Sequence, residues 1–102
     1  MLRENIDINS IPNKYFDIVY HEDGKIKMLT TDGLIVISYI VYLIWKEING
    51  INSINDIVEK IKNNEVVKNL DELSVEENVK KVIAYFIEKN MITVNWKNFK
   101  LT

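Results

Sequence analysis

Two groups of residues in this chain have the types and spacing for acid–base chemistry: His21 beside Glu22 and Asp23, and the adjacent pair Glu76-Glu77. His21 is the single histidine, and a turn rich in acidic residues marks it as a solvated surface group more readily than a general base. Glu76 and Glu77 fall at the start of an expected helix, where carboxylates favourably oppose the macrodipole. No Gly-rich phosphate loop, nucleophile–base constellation or metal-ligand cluster accompanies them. The chain has no Cys, so it has neither disulfides nor thiolate metal ligands of its own. The expectation is a non-enzymatic protein without cofactor or metal.

The stretch from residue 26 to 50, IKMLTTDGLIVISYIVYLIWKEING, is the most informative part of the chain. Two β-type runs meet at Thr31-Asp32-Gly33, a hairpin signal because Gly33 can take the positive φ of a tight turn. The second run, Leu34 to Ile37, is apolar at every position. It is either covered on both faces or has one face awaiting a partner. Ser38 then reads as an N-cap, and Gly50 as the left-handed residue that ends the following helix, Tyr39 to Asn49. That helix is apolar on nearly every side of its first two turns, which predicts a central position.

Around this unit, Met1 to Lys14 reads as an irregular arm or a loose edge. Tyr15 to Tyr20 (YFDIVY) suits a strand, Asp23-Gly24 a second turn, and Lys25 to Thr30 an alternating half-buried strand. Ser53 predicts a cap for a helix from Ile54 to Asn63, with Ile54, Ile57, Val58 and Ile61 inward. Glu65 to Leu73 is a connection of undecided form. Ser74-Val75-Glu76-Glu77 fits a capping box, and Val75, Val79, Val82, Ile83, Phe86 and Ile87 make a stripe of about 140° on the last helix. The bland reading makes the whole stripe core; the sharper one has one margin, with Ala84 beside Lys80 and Ile87, lining a groove. Asn90 ends the helix. Beyond it, Val94, Trp96, Phe99 and Leu101 alternate as an extra strand or a packed tail.

Composition narrows the function classes. At 102 residues, 47% hydrophobic and 27% charged, the chain fits one domain with a modest core. The apolar run at Leu34 to Trp45 falls short of the ~20 residues that span hydrocarbon, and no signal-peptide pattern opens the chain. A cytoplasmic location without membrane contact is expected. The net charge of −2 denies it the cationic surplus that nucleic-acid affinity requires.

The succession IKMLTTDGLIVIS, YLIWKEING, INDIVEKI and VEENVKKVIAYFIEKNMI resembles the PqqD-like family, the leader-peptide recognition domains (RRE domains) of ribosomally made, post-translationally modified peptide (RiPP) pathways. The likeness covers residues 15–92, with 1–14 as an arm and 93–102 as a strand or tail. Ser38 stands where the family usually has Asn, Asn90 where it usually has Gly, and the connection from Asn63 to Leu73 is longer.

The resemblance implies an α+β, winged helix-turn-helix-like domain: a three-stranded antiparallel sheet, three helices and a possible extra C-terminal strand. It also implies a role as a monomeric or homodimeric peptide chaperone for natural product biosynthesis. Such a domain binds the leader of a precursor peptide and presents it to a modifying enzyme such as a radical-SAM enzyme, peptidase or cyclase. Strand addition then places Leu34, Ile35, Val36 and Ile37 at the pairing edge, with Val79, Lys80, Ile83, Phe86 and Ile87 on the opposite wall and Lys80 meeting an acidic leader residue. The alternatives are a winged-helix DNA-binding regulator, which the acidic balance disfavours, and a non-catalytic dimerisation subunit.

Overall fold

The computed structural model describes residues 6–65 and 72–94. Strands β1 (Pro12–Lys14), β2 (Val19–Glu22), β3 (Lys25–Thr30) and β4 (Gly33–Ile37) precede helices α1 (Tyr39–Glu47), α2 (Ile54–Lys62) and α3 (Glu72–Glu88), and strand β5 (Ile92–Val94) follows. The order β2-β3-β4 makes a three-stranded antiparallel sheet, while β1 pairs antiparallel with β5 in a separate ribbon. This is the α+β arrangement of sheet, three helices and C-terminal strand that the sequence predicts. Trp96, Phe99 and Leu101 lie outside the described residues.

Local chemistry explains the turns. Asp23 and Gly24 both have positive φ, 54° and 74°, as a two-residue type I′ hairpin requires. In the second turn the positive φ falls on Gly33, at 106°. The Thr30 hydroxyl braces that turn by donating to the Gly33 carbonyl at 2.8 Å and accepting from the Asp32 N–H at 3.0 Å.

The helices are capped by short polar side chains. Ser38 accepts from the Val41 N–H, and Ser53 forms a reciprocal capping box with Asp56, each satisfying donors that a helix start leaves free. Ile54 and Asn55 donate their N–H groups to the Ser10 and Ile8 carbonyls, so the N-terminal arm completes the cap of α2. The last helix ends in a Schellman motif. Asn90 takes φ 59°, its N–H donates to the Ile87 carbonyl, and the Met91 N–H donates to the Phe86 carbonyl.

Four expectations need correction. The arm is ordered from Ile6 and contains β1, whereas Tyr15 to Ile18 is not strand; β1 is held by β5 and by Gly50, partners remote in sequence. Gly50 is left-handed (φ 79°) but does not end α1, which stops at Glu47 with Ile48 as its C-cap. Its N–H donates to the Pro12 carbonyl, and a Cβ there would meet the Asn13 side chain at 2.8 Å, so it serves the close approach of β1. Ser74 lies inside α3 rather than at its cap, because Glu72 and Leu73 are good helix formers and carry the helix further back. Finally, α1 is not buried all round: Leu43, Ile44 and Trp45 are, while Tyr39 is exposed.

One core joins these elements. Met28 supplies the sheet, Trp45 and Phe86 meet edge to face at 4.8 Å between ring centres, and Ile54, Ile57, Val58 and Ile61 fill the space under α2.

Candidate functional site: the open edge of the three-stranded sheet

β4 is an edge strand, and the hydrogen-bond alternation fixes what it offers. Leu29 donates its N–H to the Ile18 carbonyl at 3.1 Å, so the odd-numbered residues of β3 bond to β2 and the even-numbered ones to β4. With Met28 opposite Ile35 and Ile26 opposite Ile37, the backbones of Ile35 and Ile37 are spent on β3. Leu34 and Val36 turn their N–H and C=O groups outward, where they have no partner among the described residues.

The side chains alternate with the pleat. Ile35 and Ile37 pack, half-buried, against the core, while Leu34 and Val36 stand 49% and 60% exposed on the outer face. This settles the alternative left by the all-apolar run: one face is covered and the other is bare. Tyr20, also exposed, shares that outer face, with Glu22 and Leu34 around a shallow hollow of about 410 Å³. The opposite edge differs. Along β2 the strand ends in His21 and Glu22, polar residues of the kind that discourage pairing, whereas β4 has no charge and no proline.

The residues proposed for the opposite wall separate. Val79, Ile83 and Phe86 are fully buried and belong to the core, so their side chains line no groove. Their stripe is the one that anchors α3, as its apolar spacing requires. Lys80 and Ile87 are half-buried, and Lys80 is paired with Glu76 at 3.2 Å. They are also on the wrong side. Lys89, just past α3, reaches Asp32 in the β3–β4 turn at 2.6 Å and lies 5.9 Å from the centre of the Tyr85 ring, so the Tyr85 side of α3 faces that turn. At about 100° per residue, Lys80 lies roughly 140° and Ile87 roughly 160° around the helix from Tyr85.

Lys89, with exposed Tyr85 beside it, is therefore the group at the end of α3 that reaches the turn before β4, and the sequence reading missed both. Their i, i+4 spacing, and the acidic Asp32 awaiting a cation, were the available signals. The Thr31 hydroxyl adds a bond to the Lys89 carbonyl at 3.2 Å. Hydrogen bonding to Asp32, then its charge, raises the Lys89 pKa. The hairpin tip is thus tied to the end of α3.

A second clasp holds the segment leading into β2. The indole N–H of buried Trp45 donates to Asp17 Oδ1 at 2.8 Å, Lys14 Nζ lies 3.1 Å from Asp17 Oδ2, and the same ammonium sits 5.0 Å from the Trp45 ring centre. Partial burial pushes the Asp17 carboxyl up, but the hydrogen bonds from Trp45 and Lys14, with the Lys14 charge, outweigh it and hold the pKa below the ordinary value.

The acid–base candidates do not assemble. His21 packs edge to face on Tyr42 at 5.2 Å, Glu22 pairs with Lys27 and Glu76 with Lys80. Among the described residues no helix is long and apolar enough to cross a membrane. The fold defines an α+β domain with a sheet edge open for pairing. Comparison with protein-family models, with curated proteins and with solved structures gave no match.

Proposed function

We propose that this chain binds the leader segment of a ribosomally synthesised precursor peptide by strand addition at β4 and presents it to a modifying enzyme, such as a radical-SAM enzyme, peptidase or cyclase. One observation carries the reading: a five-residue apolar edge strand whose outward backbone groups, at Leu34 and Val36, have no partner among the described residues. Main-chain hydrogen bonds at such an edge give affinity, and alternate side chains give specificity. A peptide residue opposite Leu34 or Val36 would rest on the bare outer face; the residue between them would turn inward beside Ile35. In place of Lys80, Lys89, which pairs with Asp32 in the turn before β4, would be the cation that meets an acidic side chain near the hairpin end.

The test is calorimetric titration with synthetic leaders encoded by short reading frames beside the gene. Val36→Pro removes an outward donor and no ladder bond, so it should weaken binding about tenfold or more while the domain stays folded. Unchanged affinity in a folded Val36→Pro protein would overturn the proposal.

A further inference from the structure

We infer that the β4 edge is self-complementary, and that two copies of this chain pair β4 with β4 in the absence of peptide. The claim that this occludes the peptide site rests on the function proposed above; the self-pairing does not.

The argument begins with the outward groups. Leu34 and Val36 flank Ile35 symmetrically, one residue to either side. An antiparallel copy related by a two-fold axis at Ile35 would set Leu34 against Val36 of the second copy, and Val36 against its Leu34. Every outward N–H of the strand then meets an outward C=O, as hydrogen-bonded antiparallel positions demand. In this register the whole of Gly33–Ile37 overlaps, and on the outer face each exposed Leu34 lies across from an exposed Val36, an apolar cross-strand pair. The axis keeps both inner faces on one side, so the sheet continues through the junction with order β2-β3-β4-β4-β3-β2.

Nothing in the strand opposes this. Edges are normally blunted by charges, Pro, bulges or covering segments; β4 is GLIVI, in continuous register with β3. The β2 edge, with His21 and Glu22, is the contrast within the same sheet. Size sets the strength. Contact along one strand edge roughly 17 Å long buries far less than the roughly 800 Å² per partner of a standard interface. The dimer is therefore weak and exchanging, and a strand-forming peptide displaces it by taking the same backbone groups.

Amide hydrogen exchange on the full chain without peptide, from micromolar to near-millimolar concentration, tests the pairing, with light scattering in parallel. The expected result is a monomer–dimer equilibrium in which protection of the Leu34 and Val36 amides rises about tenfold or more with concentration, while Ile35 and Ile37, already bonded to β3, stay protected throughout. Leu34→Lys, which leaves the backbone intact, should shift the equilibrium toward monomer, and so should an added peptide with the sequence of residues 32–38. A monomer at every concentration, or a dimer that leaves Leu34 and Val36 unprotected, overturns the inference. If the dimer forms but synthetic leaders neither bind nor dissociate it, self-pairing stands and the peptide-binding function falls. If leaders bind a protein that never dimerises, the reverse holds.

Discussion

Removing the Asp17 carboxylate should destabilise the domain by an amount that depends on both the replacement and the pH. Trp45 is 1% exposed, so Asp17→Ala strips a buried indole N–H of its acceptor, a loss of ~1–3 kcal/mol. The Asp17 side chain is itself 57% exposed, which lets water reach the vacancy and places the cost near ~1–2 kcal/mol. Asp17→Asn keeps an oxygen for the indole and loses only the charge and its exposed pairing with Lys14, so it should cost below ~1 kcal/mol. For a domain of this size, 1 kcal/mol is a shift of roughly 4–8 °C in Tm.

The pH dependence has a fixed sign. The folded-state pKa of Asp17 is depressed, so its contribution is full above the unfolded carboxylate value of about 4 and is lost as pH falls through the folded value. Urea denaturation followed by circular dichroism should give the same gap between the parent chain and Asp17→Asn at neutral and mildly acidic pH, closing as the pH falls below the unfolded carboxylate value. A gap that persists unchanged to low pH, or Asp17→Ala no more destabilised than Asp17→Asn, would refute the clasp.

Other substitutions separate core from surface. Ile83→Ala, at a fully buried position, should cost about 2–5 kcal/mol, and Leu34→Ala within about 0.5 kcal/mol; equal effects in denaturant titrations would contradict the assignment of Ile83 to the core. Gly50→Ala should cost about 1–3 kcal/mol, since the backbone is left-handed and the Asn13 side chain must move; an unchanged Tm would show that β1 does not pass there. Lys89→Glu should weaken a leader with an acidic residue near the hairpin end, whereas Lys80→Glu should leave binding unchanged. The opposite ranking by calorimetry would restore Lys80 to the site.

Features governed by a few adjacent residues were readable in the chain. The Asp23-Gly24 and Gly33 turns, the Ser38 and Ser53 caps and the Asn90 stop each depend on one residue's φ or one side-chain oxygen, and all five stand as expected. Features set by remote partners were not. The pairing of Pro12–Lys14 with Ile92–Val94 joins the two ends of the described chain, and no local pattern announces it. Ser74 failed as a cap because a favourable motif says where a helix can start, not where it must.

The same division runs through the site. The apolar β4 run marked a strand without saying whether both of its faces were covered; only the exposure of Leu34 and Val36 shows one face uncovered. Which flank of α3 lies toward the sheet was not legible, because Lys80, Ala84 and Ile87 on one margin and Tyr85 and Lys89 on the other are comparable until the Asp32–Lys89 contact orients the helix. Val79, Ile83 and Phe86 followed the bland reading of an amphipathic stripe and became core.

Strand addition at β4 makes a direct spectroscopic demand. With isotope-labelled protein and an unlabelled synthetic leader, nuclear Overhauser contacts are expected between leader backbone protons and the amide protons of Leu34 and Val36, with those of Val19 and His21 on the opposite edge unaffected. Leader contacts confined to Tyr15 to Tyr20, or to the segment 63–73, with Leu34 and Val36 unmoved, would contradict the account.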